Sequence, residues 1–237
     1  MSVKPKDAAT IILMRNSPDP DSRGFEVLMG LRSPRSKFVP NLYVFPGGGL
    51  DEADCLSGME NLCTGMDRKR ALHMLDDISS PEKALGVWVA GIRETFEEVG
   101  LLLAYTKGGS VISLNSEPLK EMFLSHRQSL LDGKSDFYDI IRDEGLILAT
   151  DQLHYFSHWI TPSPFPIRYD VRFFVAEAPS NQRALHDGTE LTEHLWITPE
   201  EALERFHKRT FDMALPTVIT MEELAGHKTI EDVIQSV

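Results

Sequence analysis

The stretch Arg93-Glu94-Thr95-Phe96-Glu97-Glu98-Val99-Gly100-Leu101 packs three glutamates into one turn and a half and then meets a glycine. Glu94 and Glu97 are i, i+3, and Glu94 and Glu98 are i, i+4, so on a helix the three carboxylates share one face. Like charges at that spacing repel, and the helix loses stability unless a cation sits among them. Mg²⁺ and Mn²⁺ are hard ions that prefer carboxylate and water oxygens, and they bridge phosphate oxygens and position an attacking water. A solvated acidic helix face has the same pattern, so the surroundings must decide.

Working outward, Ser79-Ser80-Pro81-Glu82 predicts the start of this helix. Ser79 and Glu82 have capping-box spacing, and Pro81 suits the first turn. The helix is expected to run to about Glu98, with Gly100 ending it in the left-handed conformation. Upstream, Ala8–Met14 reads as a buried strand, Asn16–Gly24 as a turn and Phe25–Met29 as the returning strand of a hairpin. Tyr43-Val44-Phe45 is a short strand ended by Pro46-Gly47-Gly48-Gly49. A second helical stretch is expected around Asp67–Leu75. Downstream, Leu101–Tyr105 is an apolar run and residues 117–148 look helical. Tyr155–Thr161, Arg172–Ala178 and Leu195–Ile197 read as strands. Thr198 with Glu201 opens another helix, and the segment 215–237 is largely helical. Strands and helices alternate without a linker or repeat, which predicts one α/β domain with helices on a mixed sheet.

The 237 residues are 42% hydrophobic and 25% charged, enough apolar content for a sizeable core. The formal net charge of -12 argues against a nucleic-acid partner, which needs a basic surface. It suits recruitment of divalent cations, and solubility explains it equally well. Two cysteines, Cys55 and Cys63, do not make a disulfide framework, so a reducing, cytoplasmic setting is expected. No apolar run approaches the ~20 residues a membrane-spanning helix needs, and no membrane partner is expected.

These residues resemble the Nudix box, G-x5-E-x7-R-E-U-x-E-E-x-G-U, where U is a bulky apolar residue. Gly48 opens it, Asp54 stands at the first Glu, and Arg93 to Leu101 supply the second half, with Thr95 at an apolar position. Asp54 and Arg93 are separated by 38 residues, 31 more than the box has. The chain therefore resembles the Nudix branch with an insertion inside its box, which includes the peroxisomal coenzyme A diphosphatase type. Arg32, Ser33, Phe45, Pro46, Gly47 and Gly48 also fall in register with the coenzyme A pattern R-S-x3-R-x3-G-x3-F-P-G-G. Lys37 stands at its second Arg and Asn41 at its Gly. Trp159-Ile160-Thr161-Pro162, Arg168-Tyr169-Asp170 and Glu190 are similar to the same branch.

The resemblance implies a Nudix-type α/β/α sandwich with a mixed β-sheet over residues 1–237, with the insertion at about 55–85. It implies a metal-dependent hydrolase that cleaves a diphosphate bond in a small nucleotide substrate, coenzyme A or acyl-coenzyme A. ADP-ribose or NADH as substrate, or an inactive nucleotide-binding module, are the alternatives. Glu94, Glu97 and Glu98 would act in catalysis and hold Mg²⁺ or Mn²⁺, with the Gly48 carbonyl as a further ligand. Glu190 or Glu193 would supply a base, with Glu190 preferred. Arg32, Lys37, Gly47 and Gly48 are assigned to binding, and Arg35 is a further phosphate contact. Arg93 is expected to pair with acidic groups and orient the helix, and Asp54 to keep the structural role of the Glu. Trp159, Phe165 and Tyr169 are stacking candidates, with core burial the expected fate of Trp159. Cys55, Cys63 and His73 make a poor zinc set, and His154 and His158 are expected to share a strand face as structural or surface histidines. A homodimer is a family expectation.

Overall fold

The computed structural model describes residues 3–18, 24–75, 77–78 and 80–237. Period-two alternation along the first strand decides the layers. In β1 (Lys6–Asn16), Ala9, Ile11 and Leu13 enter one core, while Ile12 and Met14 enter another on the opposite face. β2 (Phe25–Arg32) returns antiparallel to β1, with Met14 opposite Val27, so the hairpin forms as the sequence predicts; residues 19–23 of its turn lie outside the described residues.

β3 (Tyr43–Val44) pairs with β2, and β4 (Gly47–Gly49) pairs with β1. The glycine run, expected to end a strand, is a strand itself, and Gly47 lies so close to β1 that a Cβ there would stand 2.3 Å from Ala9 O. After α1 (Arg68–Met74), α2 (Pro81–Val99) carries the glutamates. β5 (Ala104–Tyr105), α3 (Glu117–Leu131), α4 (Phe137–Asp143) and β6 (Ile147–Leu148) follow, β5 and β6 forming a small separate ladder. The helical stretch expected over 117–148 thus divides at Asp132-Gly133-Lys134-Ser135-Asp136, residues that favour turns.

β7 (His154–Ile160) and β8 (Tyr169–Glu177) complete the main sheet, and β9 (Leu191–Ile197) pairs with β2. The order is β3-β2-β1-β8-β7, with β1 and β8 parallel from Lys6–Tyr169 to Met14–Glu177. The other pairings of the main sheet are antiparallel, so it is mixed. α5 (Pro199–His207), α6 (Leu215–Leu224) and α7 (Ile230–Gln235) come last, and the Thr198 cap forms as expected, accepting from Glu201 N.

Trp88, Ile92 and Phe96 of α2 pack with Ile11 and Leu13 on one face of the sheet. Phe211, Met221 and Val233 pack with Ile12 and Met14 on the other, which gives the α/β/α sandwich. Met59, Met66, Ala71 and Leu75 belong to the same core as α2, so the segment between Asp54 and α2 is packed against the domain. A bulge between Tyr155 and Ser157 flips the side-chain parity of β7. His154 lies opposite Val175 and His158 opposite Arg172, three residues apart, so the two histidines stand on opposite faces instead of sharing one.

Candidate active site

Both ends of α2 are closed by polar groups. Pro81 takes the first turn, and the cap is Ser80, whose hydroxyl accepts from Lys83 N. The expected capping residue, Ser79, lies outside the described residues. At the other end Gly100 is left-handed with φ 70, and three last-turn carbonyls find donors. Arg127 Nε donates to Glu97 O at 2.8 Å, Asp187 N to Glu98 O at 3.0 Å and Leu185 N to Val99 O at 2.9 Å.

Against this fixed helix, β4 lays bare backbone. A Cβ on Gly48 would stand 2.4 Å from Glu94 Cδ, so only glycine leaves room for that carboxylate. Gly47 N donates to Glu98 Oε2 at 2.9 Å, while Glu98 Oε1 is buried without a hydrogen-bond partner. Arg93 is the hub of the cluster. It grips Asp54 through Nε and Nη2 at 2.9 Å each, and Nη2 also donates to Gly49 O at 2.8 Å. Its Nη1 reaches Glu94 Oε1 at 2.9 Å and Glu97 Oε1 at 3.0 Å. Asp54 therefore reaches Arg93 across the extra residues. Thr95, at the apolar position of the box, is fully buried.

Burial pushes the Glu94 carboxyl up to about 7, with Arg93 opposing and Glu97 adding to the rise. Burial also raises Glu97, and it raises Glu98 far above the usual carboxylate range, reinforced by Glu94. The site thus holds more negative charge than its one arginine neutralises. Glu98's orphaned oxygen, the Gly48 backbone against Glu94 and the all-oxygen donor set fit a hard divalent cation. The three glutamates do not all draw within 4.8 Å of one another, and Arg93 Nη1 bridges Glu94 and Glu97.

Glu190 sits on the loop before β9, and its charge acts on Glu94, Glu97 and Glu98. The Asp187 carboxylate shapes that loop, accepting from Thr189 N at 2.8 Å, Glu190 N at 2.7 Å and Leu191 N at 2.9 Å. Glu193 is instead turned to Tyr43, whose hydroxyl donates to it at 3.4 Å. Beside Glu190 opens a cavity of about 640 Å³ whose lining includes Lys4, Lys6, Arg32, Arg35, Lys37 and Arg168. Ser36 Oγ accepts from Arg32 Nε and Nη2 at 3.3 and 3.1 Å, which leaves that guanidinium 4.0 Å from Glu190. Asn41, at the glycine of the coenzyme A pattern, holds φ 58, a conformation asparagine tolerates.

Residues 71–224, more than half of the chain, match the family model of the NUDT19 Nudix domain. The chain belongs to this Nudix family. It is 25% identical over 235 residues to the Xenopus laevis protein named acyl-coenzyme A diphosphatase NUDT19, covering 88% of this chain and 62% of that one. It is 27% identical to the Gallus gallus protein of the same name, over 96% of this chain and 70% of that one. A crystal structure of a Nudix hydrolase from Alicyclobacillus acidocaldarius shares the fold, with TM-score 0.78 and 23% identity over 98% of this chain and 96% of the other.

Around this Nudix site, sequence reasoning missed Lys4 and Lys6 of the basic cavity, Asp187 under Glu190 and Arg127 at the helix end, and it noted Arg168 without giving it a place in that cavity. The Asp187-Gly188 pair was a legible turn signal, whereas the others are brought in by distant segments. Tyr169 lines the basic cavity and meets Phe38 edge-on at 5.0 Å, Phe165 is exposed, and Trp159 packs on the core as expected. Cys55 and Cys63 are free thiols. One described trio, Asp77, His158 and Asp170, draws its ligand atoms within 4.8 Å. The buried Arg172 bonds Asp77 and lies 3.0 Å from Asp170, so a guanidinium already supplies the cation there. Among the described residues no helix is long and apolar enough to cross a membrane.

Proposed function

We propose that this Nudix protein hydrolyses the diphosphate bond of a nucleoside diphosphate-linked compound, coenzyme A or an acyl-coenzyme A. The observation that carries the reading is the junction of two opposite fields. The carboxylate cluster on α2 meets, past Glu190 and Arg32, a cavity lined by six cationic side chains in a chain of net charge -12. That excess of cations exceeds what one diphosphate requires and suits a nucleotide carrying a further phosphomonoester, as coenzyme A does. The frog and chicken relatives are named for acyl-coenzyme A, which points the same way.

Glu94, Glu97, Glu98 and the Gly48 carbonyl would hold Mg²⁺ or Mn²⁺, which when bound supplies charge neutralisation at the diphosphate oxygens. Arg93 keeps Glu94 and Glu97 aligned, and Asp54 keeps Arg93 in place. Arg32, Arg35 and Lys37 take the substrate's phosphates. Glu190 accepts the proton of the attacking water, and the Asp187-braced loop fixes its position. Water adds across the P–O–P bridge, one phosphorus gaining the hydroxyl and the leaving phosphate taking the proton. Two free thiols support a reducing compartment such as the cytoplasm, and light scattering tests the homodimer the family suggests.

The test is hydrolysis of coenzyme A, acyl-coenzyme A, ADP-ribose and NADH with Mg²⁺ or Mn²⁺, beside Glu97→Gln. The expected result is metal-dependent release of adenosine 3′,5′-bisphosphate and 4′-phosphopantetheine, lost in the variant. Cleavage confined to ADP-ribose or NADH would overturn the substrate class, and turnover unaffected by the variant would overturn the site.

A further inference from the structure

A second cavity, of about 380 Å³, lies where α3 crosses the end of α2. It shares no lining residue with the basic cavity and includes none of the glutamates assigned to the diphosphate. Its lining joins an apolar side to a charged one: Leu124 and Leu185 stand 40% and 48% exposed, over the buried Phe96 and Phe123, which meet edge-on at 6.3 Å. Beside the leucines the chain places Arg127, which is only 5% exposed. Arg127 Nε is spent on Glu97 O, but Nη2 is buried without a hydrogen-bond partner, and no described carboxylate lies within ion-pair distance of the guanidinium. Asp187, Glu98 and Glu97 act on it only from farther away, and burial disfavours its charge. A buried guanidinium with an unmet donor destabilises the fold unless an anion completes it. Lys120 and Arg183 add positive charge to the lining, against one carboxylate, Glu117, which lies 3.6 Å from Lys120.

We propose that this cavity is a second ligand site, for an amphipathic carboxylate whose anionic head meets Arg127 and whose hydrocarbon body lies on Leu124 and Leu185. The volume falls within the range of small-molecule sites and accommodates a medium-length chain. Through its Nε bond to Glu97 O, Arg127 joins this site to the last turn of α2.

Calorimetric titration of the full chain with decanoate below its micelle concentration, beside decanol, tests the site. Saturable binding of one decanoate per chain is expected, with decanol at least tenfold weaker. Arg127→Gln should weaken decanoate at least tenfold. In case that variant misfolds, Leu124→Glu and Lys120→Glu alter exposed positions and should each weaken binding with unchanged circular dichroism. Binding should persist in EDTA and in saturating adenosine 3′,5′-bisphosphate, so it stands or falls separately from the diphosphatase reading. Absence of saturable binding, equal affinity for decanol, indifference to both rim variants, or competition by the bisphosphate would each overturn the proposal.

Discussion

At Gly48 the missing side chain is as informative as any present one. The 2.4 Å between an added Cβ and Glu94 Cδ is far inside van der Waals contact, so Gly48→Ala must move the carboxylate or the strand. We expect roughly a hundredfold or greater loss of diphosphatase activity from the misplaced ligand. The stability loss should be only about 1–3 kcal/mol, as for other overpacked sites. Urea unfolding beside steady-state kinetics checks both, and wild-type activity in the variant would sink the geometry. Asp54→Asn removes one member of a buried pair, but Arg93 keeps Glu94, Glu97 and Gly49 O, so about 3 kcal/mol is expected, the lower end for such losses. A change below about 0.5 kcal/mol would show that the grip on Asp54 does not hold the helix. The glutamates, Arg93 and Asp54 were legible because helical spacing and box order survive in one dimension. The depth of Glu98 and the contact of Gly48 with Glu94 were not, since both depend on β4 pairing with β1.

Among the elements, the loop from Asp187 to Leu191 sets the position of Glu190. Burial pushes the Asp187 carboxyl up, yet hydrogen bonds from Thr189, Leu191 and Glu190 outweigh it and hold it below the usual range. Asp187→Ala should free the loop and lower kcat about 10- to 100-fold with a smaller change in KM, because phosphate contacts from Arg35 and Lys37 remain. Asp187→Asn keeps an acceptor oxygen and should recover part of that loss. An Asp187→Ala enzyme with unchanged kcat would remove Glu190 from the mechanism or this loop from its support. Strand periodicity and the Thr198 cap made most elements readable. The bulge in β7 was not, because it is imposed by pairing with β8 and leaves the local apolar pattern intact. The break between α3 and α4, by contrast, is written in the turn-favouring residues Asp132 to Asp136, inside a stretch whose apolar spacing continues on both sides.

For the molecule as a whole, the carboxylate cluster makes stability depend on pH and metal together. Glu94 titrates near 7 in the folded chain against 4.5 as its ordinary value, so the fold favours its neutral form. The penalty for ionising it is absent below about pH 4.5, grows as pH rises and is complete above about pH 7. For a shift of this size it amounts to roughly 3 kcal/mol. Asp187 has the opposite sign and a separate window: its lowered value stabilises the fold at neutral pH, and that contribution is lost only as pH falls below about 4. In EDTA, the melting temperature should therefore fall between pH 5 and 7.5, a range in which Asp187 stays ionised. Divalent cations bind the ionised carboxylates, so Mg²⁺ or Mn²⁺ should raise the melting temperature much more at pH 7.5 than at pH 5.5. Glu94→Gln carries the neutral form permanently. In EDTA it should match the wild type at pH 5 and exceed it at pH 8, while losing most of the stabilisation by metal. Scanning calorimetry of both proteins across this range decides the matter, for a wild-type curve that is flat with pH in EDTA, or a metal effect equal at both ends, is incompatible with an uncompensated anionic cluster on α2.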